Sequence, residues 1–297
     1  MTRRCGYVAI LGAPNAGKST LLNTLIGQKI SIVSPKVQTT RTRILGIQVT
    51  GEAQIIYVDT PGIFQPKRRL DRAMVAAAWG GAADADRILL IVDAEEGITD
   101  EVRVIVDHLK STKRRAALVL NKVDAVKRDT LLGLAQTLDA EGIFDTVFMI
   151  SALKGDGTKD VESWVVAQLP LAPWLYPEDQ LSDVPQRVLA ADITREQLYL
   201  QLHDELPYQA TVETERWQEH DDGSARLDQI VYVQRPGQKA IILGKGGRQI
   251  KRIGERARLE LERVFERRIH LFLFVKVREN WADDRERFDA IGLDFNS

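Results

Sequence analysis

A glycine-containing turn near the N-terminus has the residue types and spacing of a phosphate-binding loop. It follows an apolar, strand-like run at 7–11 and opens a helical pattern at 18–25, which is the context that the motif requires. Successive backbone N–H groups in such a turn, together with the helix N-terminus, form a concave anion site. The residues that fit G-x-x-x-x-G-K-[ST] are Gly12, Ala13, Pro14, Asn15, Ala16, Gly17, Lys18 and Ser19.

The chemistry predicted for this loop is the binding of nucleotide phosphates. Lys18 is expected to neutralise charge at the β- and γ-phosphates, and the Ser19 hydroxyl is expected to ligate Mg²⁺. Thr20 completes the predicted contact set. Asn15 offers an amide oxygen close to the phosphate oxygens and can help to coordinate a monovalent cation. We therefore expect hydrolysis of the bound nucleotide to be faster with K⁺ than with Na⁺.

A second polar segment ends the strand-like run at 54–59. Ligands of open α/β sheets bind beyond the carboxyl ends of the strands, so Asp59 is expected to hold Mg²⁺ through water. The Gly62 amide can contact a γ-phosphate. Ile63 has no group that orients an attacking water, so we expect slow intrinsic hydrolysis. The full predicted segment is Asp59, Thr60, Pro61, Gly62 and Ile63.

A third segment, after the run at 117–121, predicts which base is bound. Guanine presents an N1–H and an N2 amino group side by side, and the Asp124 carboxylate can accept both bonds, whereas adenine has no such pair. Asn121 either bonds the O6/N7 edge of the base or ties the loops together, and the stem of Lys122 can lie along the ring. Backbone donors near O6 are expected from Ser151 and Ala152. The predicted base-binding residues are Asn121, Lys122, Val123, Asp124, Ser151 and Ala152.

A polar, poorly periodic stretch between the phosphate loop and Asp59 is the predicted switch. Thr40 is the candidate for the threonine that reaches Mg²⁺ and the γ-phosphate when GTP is bound, and Thr39 is the alternative. The predicted switch residues are Gln38, Thr39, Thr40 and Arg41. The predicted metal residues are Ser19, Thr40 and Asp59. The predicted catalytic residues are Lys18, Thr40, Gly62 and Asn15.

Strand-like and helical runs alternate through the first half of the chain. Short apolar runs bounded by Gly, Pro, Asp or Asn are typical of strands that are buried on both faces. Helix-length segments such as 18–25 and 99–109 separate them, which predicts a doubly wound α/β sheet. The predicted strands are 7–11, 54–59, 87–93, 117–121 and 147–151.

A change of composition marks a boundary between two domains. Four of the ten prolines fall between 170 and 185, which is typical of a linker. We predict a nucleotide-binding domain over 1–172, a linker over 173–186 and a second domain over 187–297. The second domain has helical spacing at 193–206, strand-like runs, a glycine loop, a helix with an apolar stripe and a last strand at 269–277.

The charge is unevenly distributed between these domains. The chain has 41 Lys and Arg against 42 Asp and Glu, for a net charge of −1. Residues 235–278, however, contain 13 basic and four acidic side chains, an excess of nine positive charges. The rest of the chain is therefore acidic, by ten charges. A local basic excess of this kind is the footprint of a nucleic-acid-binding module.

The combination of motifs resembles the Era GTPases of the TrmE-Era-EngA group. The phosphate loop with Pro14 and Asn15, the switch, D-x-x-G and N-K-x-D are joined in the second domain by Glu205-Leu206-Pro207-Tyr208 and by Gly244-Lys245-Gly246-Gly247. The resemblance covers the chain from residue 6 to about 279. It implies a Ras-like P-loop GTPase domain with a mostly parallel sheet, followed by an α+β type II KH domain.

The resemblance also implies a function. It predicts a GTP-switched factor that binds 16S ribosomal RNA near its 3′ end during assembly of the 30S subunit, with GTP/GDP and Mg²⁺ as ligands. A cytoplasmic monomer with some association at the inner membrane surface is expected. A KH glycine loop clamps the backbone of about four nucleotides. The predicted RNA-binding residues are Arg235, Lys239, Ile241, Ile242, Gly244, Lys245, Gly246, Gly247, Arg248 and Lys251.

Two other functions stay open from the sequence. One is a constitutive RNA-binding assembly protein whose nucleotide is structural, and the other is a membrane-surface regulatory GTPase. Cys5 is the single cysteine, which excludes a disulfide framework and a cysteine zinc site and favours a reducing compartment. The four histidines have no metal-ligand spacing, and no apolar run approaches the ~18–20 residues that span a bilayer. Metabolic catalysis and membrane-spanning proteins are therefore disfavoured.

Overall fold

The computed structural model describes residues 3–36, 39–66, 68–279, 285 and 293–294. The chain separates into two compact units. The first unit contains the described residues of 1–31, 40–183 and 292–297, and the second contains those of 32–39 and 184–291. None of the helices in this described part combines the length and the apolar character needed to cross a bilayer.

A six-stranded sheet forms the centre of the first unit. Its strands follow one another in space as β2-β3-β1-β4-β5-β6, with β2 antiparallel to β3 and every other pair parallel. All seven residues of β3 are buried, as expected for a strand covered on both faces. The strands are Arg4–Gly12 (β1), Ile44–Thr50 (β2), Ala53–Asp59 (β3), Arg87–Asp93 (β4), Ala116–Asn121 (β5) and Phe144–Met149 (β6).

Four helices connect these strands, and a fifth follows β6. Thr99 begins one of them by accepting a hydrogen bond from Val102 N, and acidic residues in its first turn with basic residues in its last complement the helix dipole. The helices are Lys18–Ile26 (α1), Arg69–Ala83 (α2), Asp100–Ser111 (α3), Arg128–Asp139 (α4) and Thr158–Gln168 (α5). The predicted doubly wound α/β class is confirmed. The antiparallel edge strand β2 was not among the predicted strands.

The second unit packs helices on a three-stranded sheet in the order β7-β8-β9, with β7 antiparallel and β9 parallel to β8. Of the predicted core-facing stripe on the long helix, Ile253, Ala257 and Leu261 are fully buried, and Ile250 and Val264 are half-buried. The elements are Gln186–Gln201 (α6), Ala210–Glu219 (β7), Ala225–Val233 (β8), Pro236–Leu243 (α7), Arg248–Phe265 (α8) and Ile269–Val277 (β9). This is the predicted order of elements.

The proline-rich segment before α6 is packed on the first unit. The backbone N–H groups of Leu175 and Tyr176 donate to Gln54 Oε1 at 2.8 and 3.1 Å. The Ser182 hydroxyl donates to Leu45 O at 2.7 Å. The division between the units therefore falls at 183/184, inside the predicted linker 173–186.

Residues 32–39 belong to the second unit although they lie between α1 and β2 in the chain. Ile32 is 1% exposed and shares an apolar core with Ile193 and Leu261. Val33 N donates to Glu196 Oε1 at 2.8 Å. From its position in the chain, this segment was predicted to belong to the nucleotide-binding domain over 1–172.

Candidate nucleotide and nucleic-acid sites

The turn between β1 and α1 has a backbone that requires glycine. Gly17 is the N-cap of α1 with a φ of 98°, and Asn15 has a φ of 61°. A Cβ atom on Gly17 would lie 2.1 Å from Asn121 Nδ2, and one on Gly12 would lie 2.5 Å from the Ile91 carbonyl oxygen. The glycines of the motif therefore let the loop fit closely against β4 and the end of β5.

Lys18 lies over this loop and is buried. Its Nζ donates to the carbonyl oxygens of Gly12 and Ala13 at 3.1 and 2.8 Å. Burial lowers the pKa of Lys18 to about 8, and the nearby Asp59 carboxylate opposes that shift. An anion bound in the loop would favour the charged ammonium. The arrangement therefore supplies a desolvated cation at the place predicted for the phosphates.

Three hydroxyl groups converge on one carboxylate oxygen beside Lys18. The hydroxyls of Ser19, Ser31 and Thr40 lie 2.7, 2.9 and 3.4 Å from Asp59 Oδ2. Burial raises the pKa of Asp59, while hydrogen bonds from Ser19 and Ser31 and the charge of Lys18 act against it. Asp59 Oδ1 is buried and has no hydrogen-bond partner among the described residues.

This cluster has the donor set of a magnesium site. Mg²⁺ prefers oxygen ligands, and the bare Oδ1 of Asp59 is the kind of atom that a cation or its water satisfies. The structure brings together all three predicted metal residues, Ser19, Thr40 and Asp59. Sequence reasoning missed Ser31. The only signal was a hydroxyl residue between two isoleucines, Ile30 and Ile32, in an otherwise apolar run.

The D-x-x-G segment packs directly on the phosphate loop. Ile63 N donates to Gly12 O at 3.1 Å, and a Cβ on Gly62 would lie 2.9 Å from backbone atoms of Pro14. The Thr60 hydroxyl donates to Ile10 O at 2.8 Å and ties the segment to β1. The side chain of Ile63 is 1% exposed and lies in the apolar core of the first unit.

Asn121 ties three loops together, the second of the two roles predicted for it. Its Nδ2 donates to Ala16 O at 2.8 Å, and its Oδ1 accepts the N–H of Ala152 at 2.9 Å. Lys122 has a φ of 63° and forms an ion pair with Asp93. Val123 N donates to Ile150 O at 3.2 Å, which fixes the turn that carries Asp124.

Asp124 is held as an ionised acceptor. A hydrogen bond from the Ser151 side chain, followed by one from Lys154, lowers its pKa. The Lys154 ammonium lies 3.1 Å from Asp124 Oδ2. At 151–152, Ser151 N donates to Asp156 O at 3.0 Å and Ala152 N donates to Asn121 Oδ1 at 2.9 Å. Both predicted O6 donors are therefore engaged within the protein.

The two candidate switch threonines occupy different environments. Thr40 is buried with its hydroxyl 2.9 Å from Ser19 Oγ. The Thr39 hydroxyl is bonded instead to Ser34 Oγ and Lys36 O, both at 2.6 Å. The geometry thus favours Thr40. Gln38 lies outside the described residues, and Arg41 is buried.

The glycine loop between α7 and α8 is open to solvent. Gly244, Gly246 and Gly247 have φ values of 69°, 63° and 76°, and a Cβ on either of the last two would meet nothing within 4 Å. Of the predicted RNA-contacting side chains, Arg235, Ile241, Lys245, Arg248 and Lys251 are exposed, and Lys239 is half-buried.

Ile242 does not fit its predicted role. It was expected to line an apolar groove for bases, but it is fully buried in the core of the second unit with Leu198 and Ala210. The helical rotation of about 100° per residue turns Ile242 inward and leaves its neighbour Ile241 60% exposed. Ile241 is therefore the residue of this pair that a ligand can contact.

Comparison with known proteins identifies a family for each of the two parts of the chain. Residues 7–122 match the sequence profile of the 50S ribosome-binding GTPase family, and residues 205–282 match that of the KH domain. The chain is 58% identical to GTPase Era of Rhizobium meliloti over 292 residues, which cover 98% of this chain and 93% of that protein. It is 57% identical to GTPase Era of Brucella suis, covering 98% and 94% of the two chains.

Two solved structures share the whole fold. A variant of Aquifex aeolicus Era bound to GDP·AlF₄⁻ superposes with a TM-score of 0.91 at 38% identity, over 97% of this chain and 99% of that one. Era in complex with MgGDPNP and nucleotides 1506–1542 of 16S ribosomal RNA gives the same TM-score and identity over 98% and 99%. By sequence and by fold, this chain belongs to the Era family of GTPases.

Proposed function

We propose that this chain hydrolyses GTP as a switch, binds 16S ribosomal RNA near its 3′ end and acts in assembly of the 30S subunit. The observation that carries the proposal is the convergence of Ser19, Thr40 and Asp59 beside Lys18 in a chain that also presents an exposed KH glycine loop. The RNA in the solved Era complex is 16S, which favours the small subunit over the 50S subunit in the broader family's name.

Each residue of the nucleotide site has its own proposed role. Lys18 and the loop N–H groups bind the phosphates, and Asp124 accepts the guanine N1–H and N2–H bonds. Asn121 holds the loops in place through Ala16 and Ala152 rather than through the base. Mg²⁺, when bound, neutralises charge on the β- and γ-phosphate oxygens. Ser19, Thr40 and Asp59 are the residues that would hold it.

Slow hydrolysis follows from the position of Ile63. Its side chain is packed in the core, so it offers no hydrogen bond to an attacking water. Asn15, in the left-handed conformation within the phosphate loop, is the proposed residue for K⁺. Stimulation by K⁺, a monomeric state and peripheral association with the inner membrane stay predictions.

RNA binding is proposed for the loop Gly244–Gly247 and the basic side chains around it. The exposed Lys245 and Arg248 flank glycines whose backbone a phosphate can approach closely. Phosphate contacts release counterions, so affinity should fall as salt is raised.

The test is the affinity for a fluorescent RNA with the sequence of the 16S 3′ end, measured with GDP and with GDPNP. A switch gives different affinities in the two nucleotide states, and equal affinities would favour the constitutive binder. The double variant Gly246→Asp/Gly247→Asp should lose binding. Gly133→Asp, on an exposed position of α4 with open space around it, places a negative charge outside this loop and should keep RNA binding. Tighter binding of an unrelated messenger RNA fragment would contradict the assembly role.

A further inference from the structure

Ser31 is one of the three hydroxyl residues around Asp59, and it belongs to none of the sequence motifs. It is 1% exposed, and its Oγ donates to Asp59 Oδ2 at 2.9 Å. Ser19 donates to the same oxygen at 2.7 Å. Asp59 Oδ1 has no hydrogen bond among the described residues. The carboxylate therefore has one saturated oxygen and one bare oxygen.

The backbone of Ser31 is fixed by a side chain of α1. Asn23 Oδ1 accepts the N–H groups of Ile30 and Ser31 at 2.9 and 3.0 Å, and Asn23 Nδ2 donates to Ser31 O at 2.7 Å. Asn23 lies one helical turn after Ser19. The helix that carries the phosphate lysine and the metal serine thus also sets the position from which Ser31 reaches Asp59.

Ser31 differs from the other two hydroxyl residues because it is not a predicted metal ligand. Ser19 Oγ and Thr40 Oγ1 lie 2.9 Å apart and are both predicted metal ligands, so their lone pairs must face the cation when it binds. Both hydroxyls must therefore serve the cation as well as the carboxylate. The Ser31 hydroxyl is bonded to Asp59 in the cluster and is not needed as a ligand.

We propose that Ser31 is a positioning residue of the magnesium site, holding Asp59 through Oδ2 and leaving Oδ1 for the cation or its bound water. This inference rests on the proposed GTPase function. Residues that hydrogen-bond a metal ligand in this way typically contribute 10–100-fold to metal affinity.

The experiment measures how free Mg²⁺ slows the dissociation of GDP that carries an N-methylanthraniloyl fluorophore. For Ser31→Ala, the Mg²⁺ concentration that gives half of the slowing should rise about tenfold. The dissociation rate in EDTA should change by less than about threefold, because Ser31 is bonded to Asp59 and is not among the residues predicted to contact the nucleotide. Ser31→Thr keeps the hydroxyl and should restore the Mg²⁺ dependence.

Two further variants separate positioning from general damage. Thr194→Val removes another fully buried hydroxyl, which donates to Gln229 Oε1 in the second unit, and should leave the Mg²⁺ dependence unchanged. Ser31→Cys keeps the size of the side chain with a weaker donor and serves if the alanine variant does not fold. An unchanged Mg²⁺ dependence in Ser31→Ala or Ser31→Cys would overturn the inference, as would equal losses in Ser31→Ala and Ser31→Thr. Absence of any Mg²⁺ effect in the unmodified chain would instead refute the proposed function.

Discussion

Arg195 donates a hydrogen bond from Nη1 to the carbonyl oxygen of Thr39 at 2.8 Å, within the second unit. The guanidinium is 5% exposed and is paired with Asp192 at 2.7 Å. Thr39 directly precedes Thr40 in the chain, and the Thr40 hydroxyl lies 2.9 Å from Ser19 Oγ at the predicted magnesium site. An arginine of α6 therefore fixes the backbone immediately before the predicted switch threonine.

Replacing this arginine should destabilise the chain and weaken catalysis. Arg195→Met leaves Asp192 without its partner, at a cost of about 3 kcal/mol. It also frees the Thr39 carbonyl, so we expect slower GTP hydrolysis. Thermal unfolding and single-turnover hydrolysis measure the two effects. Arg195→Lys keeps the charge and should lose less stability; a methionine variant as stable as the original chain would contradict this reading.

Asn121→Ala should weaken nucleotide binding without removing a contact to the base. The substitution leaves Ala16 O and Ala152 N unpaired in buried positions, which costs roughly 2–4 kcal/mol. Isothermal titration with GDP and a melting curve of the nucleotide-free protein measure the loss. Because the bonds are internal, both measurements should change; a loss of affinity at constant melting temperature would show that Asn121 binds the base instead.

Local spacing was enough to predict that Ser19, Thr40 and Asp59 come together. The phosphate loop and Asp59 follow buried strands, and parallel strands bring their carboxyl ends to one edge, so Ser19 and Asp59 could be paired in advance. Ser31 could not, because its contact with Asp59 spans 28 residues and depends on how Asn23 holds the intervening loop.

Two expectations differ from the structure, one for a local reason and one because of a distant contact. Ile241 and Ile242 are adjacent and identical, so only the rotational phase of α7 decides which one is buried. The grouping of 32–39 with the second unit depends on Ile32 entering a core whose other members are more than 150 residues away. The order of residues along the chain shows neither the rotation of α7 about its axis nor the distant core partners of Ile32.

Cys5 should be protected from thiol reagents in the native chain. It is 2% exposed, and burial raises its pKa, so the thiolate fraction at pH 8 is smaller than in the unfolded chain. Labelling with a chromogenic disulfide reagent should be at least about tenfold slower than in urea. Between pH 7 and 9 the rate in urea should climb with ionisation while the native rate stays low. Equal rates with and without urea would show that the strand β1 opens readily.

Asp124→Asn should change the preferred base from guanine to xanthine. The carboxylate accepts two N–H bonds from guanine; an asparagine amide loses one of these and can donate to the carbonyl at position 2 of xanthine. With hydrogen bonds to a charged group worth about 1.5–3 kcal/mol each, the affinity for GDP should fall about 100-fold and that for xanthosine diphosphate should rise.

The control for this substitution is Lys154→Ala. It removes the ammonium that lies 3.1 Å from Asp124 but leaves the carboxylate in place. Lys154 is exposed, so its ion pair with Asp124 is screened and contributes little to orientation. Lys154→Ala should therefore keep the preference for guanine with only a small loss of affinity. If Asp124→Asn weakened both nucleotides equally, Asp124 would be supporting the loop through Ser151, and the choice of base would have to come from other groups.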